Sequence, residues 1–173
     1  MFERFTVPAR LVVKAAVEES QAAGDPVIDE EHLAYALFRD PDGAAARLCG
    51  GTVTLDGLKA AFAAANRRGG LSDTDTAALR ELGIDVDEVV ATFTSPLGPD
   101  AMLPPRKAAN RHRPFSKAAK RVLTLALQEG VSRRERALDE RDLLLGLLRN
   151  KALAAGVFEG LGVRYTDLLT HPA

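Results

Sequence analysis

Set against itself at an offset of 110 positions with no gap, the 173-residue sequence shows fifteen identities spread between positions 5 and 58 of the first copy. Phe5, Ala9, Val12, Ala16 and Glu19 fall on Phe115, Ala119, Val122, Ala126 and Glu129. Asp29, Glu30, Leu33, Leu37 and Arg39 fall on Asp139, Glu140, Leu143, Leu147 and Arg149, and Ala44, Ala45, Gly50, Val53 and Leu58 on Ala154, Ala155, Gly160, Val163 and Leu168. A shared bias towards Ala and Leu does not supply the Phe, Glu, Asp, Arg and Gly matches, so the chain reads as a duplication. Whatever one copy folds into, the other must be able to fold into as well.

Each copy carries helical signals. Thr6 and Ser116 are good N-caps, followed by apolar faces of Ala9, Val12, Val13 and Ala16 and of Ala119, Val122, Leu123 and Ala126. The first helix is expected from about Val7 to Ala23, stopping at Gly24, with its counterpart ending near Gly130. Asp29 and Asp139 cap a second helix, and an Ala-rich third precedes Gly50 and Gly160. Leu55, Leu58 and Phe62 mark a fourth, reduced to a turn or two in the second copy. Low aromatic content (5%) and no Trp favour this helical interior over a sheet.

Between the copies, Asp73–Leu82 and Asp85–Phe93 each read as a short helix, the latter with an Asp85/Glu88 capping box. Pro96–Pro114, with five prolines, reads as an extended connector. The expected organisation is repeat 1 over residues 1–66, an insert and linker over 67–113, and repeat 2 over 114–173. One copy buries little core alone, so the two should pack about a pseudo-twofold axis as a single all-α domain.

A single Cys excludes an intramolecular disulfide, and no Cys/His spacing of the zinc type or membrane-length apolar run occurs. Met-Phe-Glu-Arg-Phe lacks the apolar core of a signal peptide, so a soluble cytoplasmic protein is expected. The net charge of −1 divides into −8 over residues 1–100 (9 basic, 17 acidic) and +7 over 101–173 (14 basic, 7 acidic). A basic block from Arg106 to Arg121 lies in a stretch free of acids. Such a block suits a solvated linker better than a nucleic-acid contact, and no recognition helix rich in Arg, Asn or Gln stands out.

Met-Phe-Glu-Arg-Phe-Thr at 1–6, Ala9-Arg10, Val12-Val13, Glu18-Glu19 and Ile28-Asp-Glu-Glu-His-Leu33 resemble the first repeat of the N-terminal domain of ClpC-type Hsp100 unfoldases. Pro114-Phe-Ser-Lys-Ala-Ala-Lys-Arg-Val-Leu123 resembles the start of the second. The resemblance implies an all-α, two-repeat module that receives substrates, adaptors and, in some relatives, phosphoarginine-tagged proteins or cyclic-peptide antibiotics for ATPase rings feeding the ClpP protease. No Gly-x-x-x-x-Gly-Lys-Ser/Thr run is present, so ATP hydrolysis by that route is not expected. The expectation is a stand-alone receptor, adaptor or decoy without cofactor, metal or catalytic residues.

The resemblance also implies two binding sites. The family pattern Gly-Thr-Glu-His reads Asp29-Glu30-Glu31-His32 here, so Glu31 keeps a carboxylate able to take a guanidinium, while the added acids disfavour a phosphate. In repeat 2 the same position is Arg141, followed by Asp142, which reverses the charge. The plainer reading of Asp29, Glu30 and Glu31 is helix capping and dipole compensation. The second site is the paired helix starts that bind peptides and antibiotics, matched by Phe2, Arg10, Val13, Phe115 and Lys120; Thr124 replaces an acidic position. Phe5 is expected in the core and Phe2 exposed, His32 as a hydrogen-bonding residue of the second helix, and Cys49 as a buried structural thiol.

Overall fold

The computed structural model describes residues 2–68, 73–86, 88–89 and 113–169. After a 3₁₀ turn at Phe2–Arg4, repeat 1 forms α1 (Val7–Ala23), α2 (Glu30–Leu37), α3 (Ala44–Leu48) and α4 (Leu55–Arg67). The insert contributes α5 (Asp73–Glu81). Repeat 2 forms α6 (Lys117–Ser132), α7 (Glu140–Arg149), α8 (Leu153–Gly160) and a short α9 (Tyr165–Leu169). Glu88 N–H donates to Asp85 Oδ1 (3.3 Å), one arm of the expected capping box. Val86, Glu88 and Val89 are helical, as expected for an Asp85–Phe93 helix; its remaining positions and nearly all of the Pro96–Pro114 connector lie outside the described residues.

The caps fall where short-range chemistry puts them. Thr6 and Ser116 accept from Ala9 N (3.3 Å) and Ala119 N (3.0 Å), fixing the starts of α1 and α6. The helix ends differ: α1 closes at Gly24 with a left-handed φ of 78°, whereas α6 runs to Ser132 and puts Arg134 at the equivalent left-handed position, φ 57°. Glycine adopts that conformation without the Cβ conflict arginine carries.

The pseudo-twofold relation is written in the backbone. Thr6 N donates to Leu138 O (2.9 Å) and Leu138 N to Arg4 O (2.7 Å). Displaced by 110, the same bonds recur: Ser116 N to Ile28 O (2.9 Å) and Ile28 N to Pro114 O (2.9 Å). These reciprocal parallel bridges, Phe5 with Leu138 and Phe115 with Ile28, tie the entry of each first helix to the entry of the other repeat's second helix. Each satisfies polar groups that a helix start leaves unpaired.

Between the bridges the two second helices, α2 and α7, pack on each other and form the centre of the seam. Phe38 meets Phe158 across it at 5.6 Å between ring centroids, and Phe62 lies edge-on to Tyr35 at 5.5 Å. Phe62, Phe158, Leu33, Leu37, Leu58 and the run Leu143–Leu145 are essentially inaccessible, each contributing about 1.5–3 kcal/mol by leaving water. Phe5 belongs to this core, at 3% exposure. Helices α4 and α5 both cover α8, so the third helix of repeat 2 is sheathed by elements from outside its own repeat.

Candidate functional site

Three places carry chemistry that a binding site could use. The first surrounds Glu31, in the first turn of α2. Glu31 is half-buried, and its Oε2 accepts from Asn66 Nδ2 on α4 (3.2 Å). Beside it, His32 Nδ1 accepts the Asp29 backbone N–H (2.9 Å), completing a capping box with Asp29. That bond fixes the imidazole proton on Nε2, which lies 3.0 Å from Asp25 Oδ2 and donates to it. Ligand atoms of Asp25, Glu31 and His32 lie within 4.8 Å of one another. A pocket of about 370 Å³ opens alongside, lined by Glu19, Ala22, Ala23, His32, Tyr35 and Lys59. Lys59 pairs with Glu19 (3.3 Å) and lies over the Tyr35 ring, while burial and the nearby carboxylates of Glu31, Glu19 and Asp25 push the Tyr35 phenol upward.

With both His32 nitrogens engaged, no lone pair is left to take a proton from Ser116. The Ser116 hydroxyl itself donates to Asp29 Oδ1 (2.8 Å), so this Ser, His, Asp grouping is a pair of helix caps joined across the seam.

Repeat 2 shows what the equivalent place does when filled. Arg133 projects its guanidinium onto Asp142, with Glu135 at 3.3 Å and Asp139 at 3.5 Å. The residues equivalent to Glu135, Asp139 and Asp142 are Asp25, Asp29 and His32, and that equivalent to Arg133 is Ala23, which lines the repeat 1 pocket. Repeat 2 thus carries its own arginine where repeat 1 leaves space. Arg141, at the Glu31 position, donates to Leu168 O (2.8 Å).

The second place is the pair of helix starts. Arg10 and Lys120 are equivalent residues, both exposed, one turn inside α1 and α6. Val13 and Phe115 are half-buried against the core, Phe115 held by its bridge to Ile28. Thr124 turns its hydroxyl back onto Lys120 O (3.0 Å). The Phe2 side chain lies outside the described residues, as does most of the basic 106–121 block, of which Lys117, Lys120 and Arg121 are exposed on α6.

The third place, which the sequence reading did not single out, is the seam itself. Glu30 is 4% exposed and reaches from repeat 1 into repeat 2: Oε2 accepts from Asn150 Nδ2 (2.8 Å) and Oε1 from Ala154 N (2.9 Å). It thereby caps α8, whose N-cap Ala152 has no side chain for the purpose. Burial pushes the Glu30 carboxyl up, against the pull of its two donors. The equivalent of Glu30 is Glu140, and the equivalent of Asn150 is Asp40, whose carboxylate has no side-chain N–H to give. Among the described residues Glu140 has no hydrogen bond or ion pair, and a groove of about 470 Å³ opens there between α1 and α3. The sequence did hold a signal for this difference, the Asn150 to Asp40 exchange at an otherwise matched seam.

No family model matches the chain. It is 27% identical over 172 residues to the chloroplastic ATP-dependent Clp protease ATP-binding subunit ClpA homolog of Brassica napus, matching 99% of this chain and 16% of that protein. It is also 27% identical to the chloroplastic chaperone protein ClpC1 of Arabidopsis thaliana, again over 99% of this chain. The chain spans about 15% of the length of such relatives. Among solved structures it superimposes on the N-terminal domain of the caseinolytic protease associated chaperone ClpD from Arabidopsis thaliana, with a TM-score of 0.52 and 19% identity, covering 97% of this chain and 91% of that one. The Hsp104 N-terminal domain from Candida albicans gives a TM-score of 0.55 at 16% identity, covering 97% and 88%. The chain has the Clp N-terminal-domain fold.

The match to ClpD extends over nearly the whole chain, both repeats of the Clp-N fold included. Cys49, at the end of α3, is 8% exposed, and burial pushes its thiol up to about 11, as suits a packing residue of this Clp-N core. Among the described residues no helix is long and apolar enough to cross a membrane.

Proposed function

We propose that this chain is a non-catalytic protein- and peptide-binding module of a Clp-type chaperone and protease system, acting as a substrate receptor, adaptor or decoy. Its specificity determinant is the repeat 1 pocket together with the carboxylates of Glu31 and Asp25, which adjoin it through His32 and take a cationic side chain of the bound protein, arginine above all. The observation that carries this reading is the internal comparison: Arg133 occupies an acid cradle in repeat 2, and the matching pocket beside Ala23 is open. A planar guanidinium fits two carboxylates better than an ammonium does. The surface made by Phe2, Arg10, Val13, Phe115 and Lys120 is the proposed second contact, with two aromatic residues and two cations suited to an amphipathic partner or a cyclic-peptide antibiotic.

Calorimetric titration of the full chain with an arginine-bearing peptide tests the first site. Glu31→Ala is expected to weaken binding by about 1.5–3 kcal/mol, the range for a charge-assisted hydrogen bond. Ala23→Arg, which copies Arg133 into repeat 1, is expected to block the pocket from within. Unchanged affinity in both variants would remove the site. Phe2→Ser combined with Lys120→Ala serves the same purpose for the second surface, and pull-down with a ClpC-type ring separates adaptor from decoy.

A further inference from the structure

We infer that the groove between α1 and α3, lined in part by Glu140, is a docking site for a partner segment in which a lysine or arginine stands beside one or two aliphatic residues. The inference rests on the proposed peptide-binding function and assigns it a site distinct from the Glu31 pocket.

Its basis is the broken symmetry of the seam. Glu30 and Glu140 are the same residue at the same place in the two repeats, each on the first turn of a second helix. Glu30 is closed over by two N–H donors of the opposite repeat, Asn150 Nδ2 and Ala154 N. Glu140 is half-buried and receives none, because Asp40 stands where Asn150 stands on the other side. A carboxylate withdrawn from water without a donor is unfavourable, and an incoming N–H donor relieves it. Desolvation, then Asp139 and Asp40, raise the Glu140 carboxyl against the opposing pull of Arg47, so a further cation that also donates an N–H is favoured there.

The remainder of the groove says what accompanies that cation. Pro8, Leu11, Val12 and Ala15 form one wall, a ridge along α1, and Leu11 is 58% exposed with Val7 one turn before it at 61%. These are the large aliphatic side chains that α1 leaves in water, and they adjoin the acidic end of the groove. Two arginines line it as well: Arg39 is paired with Glu18 (2.7 Å), whereas Arg47 donates to the Asp42 backbone carbonyl and its charge partly offsets that of Glu140. Among the described residues this leaves Asp40, Asp42 and Glu140 against one cation without a carboxylate of its own. Glu140 is, among the described residues, the lining carboxylate without a donor, and Asp40, whose Oδ1 accepts the Asp42 N–H (3.0 Å), adds a second negative charge beside it. An aliphatic side chain on Leu11 with a cation two or three residues away meets both halves of the surface.

Backbone-amide NMR of the full chain, titrated with a short Lys-Leu-Leu peptide and its Glu-Leu-Leu counterpart, tests this. The Lys-Leu-Leu peptide is expected to shift amides around Leu11, Gly43 and Glu140, and to bind at least about tenfold more tightly than the Glu-Leu-Leu peptide. Glu140→Gln, which keeps the shape, and Leu11→Ser, on an exposed helix face, are each expected to weaken it by about tenfold, while Ala23→Arg leaves it unchanged. Circular dichroism confirms that the variants fold. If the peptide binds but is lost in Ala23→Arg and indifferent to Glu140→Gln, the groove inference falls and the proposed function stands. If the arginine peptide binds through Glu31 while Lys-Leu-Leu does not bind, the groove again falls alone. If no peptide binds any face, both fall.

Discussion

Asp142 and His32 occupy the same position in the two repeats and do the same local job, each returning its side chain to the N–H of the N-cap residue three places earlier. Their surroundings are opposite in sign: His32 is met by Asp25, Asp142 by Arg133. Asp142 is completely buried, and that desolvation outweighs its donors, pushing the carboxyl up to about 6. A folded-state pKa above the unfolded value means that folding takes up a proton in this interval. The contribution is therefore fully present below about pH 4 and is lost as pH rises through about 6. Urea titrations across that interval should show stability declining as pH rises, by the share this residue contributes. Asp142→Asn, less stable overall for want of the Arg133 pair, should flatten that part of the profile; an unaltered slope would assign the pH dependence elsewhere.

Among the elements, the α6–α7 pair is the tightest contact. A Cβ on Gly146 would come within 2.7 Å of Val122 O and 3.0 Å of Ala126 N, both backbone atoms unable to yield without moving a helix. The equivalent residue on α2 is Ala36, which fits and lines the groove instead. Gly146→Ala should therefore cost about 1–3 kcal/mol through overpacking, despite alanine's better helix propensity, and chemical denaturation reads it directly. A neutral or stabilising result would mean that the pair can separate freely. Helix positions were legible in the sequence because caps and apolar faces act over a few residues: Thr6, Ser116, Asp29 and Asp139 each announce a start within one turn. Pairwise equivalence was legible too, and so was the exchange of Asn150 for Asp40, but not what that exchange does to the seam. Glu30 and Glu140 look identical along the chain; only the fold, by bringing Asn150 to one and Asp40 to the other, makes the first an internal cap and the second an open carboxylate. Arg133 escaped notice for a related reason, since its match to Ala23 reads as an unremarkable mismatch until the pocket is seen.

At the scale of the whole molecule, the halves are neither separate domains nor merely adjacent. Each repeat's first helix is anchored by the other's backbone, α4 of one lies on α8 of the other, and α2 and α7 share one core. Neither half can lose its structure without exposing the other's apolar face. Thermal unfolding should accordingly be a single transition with calorimetric and van't Hoff enthalpies in agreement; two resolved transitions would contradict the shared core.

The contact between Glu30 and Asn150 also fixes a valency. A nearly twofold molecule has the makings of two identical docking places, and one of them is spent on holding the repeats together. The groove beside Glu140 is the place left open at the seam, so a guest docked there as proposed would be held singly, without crosslinking two.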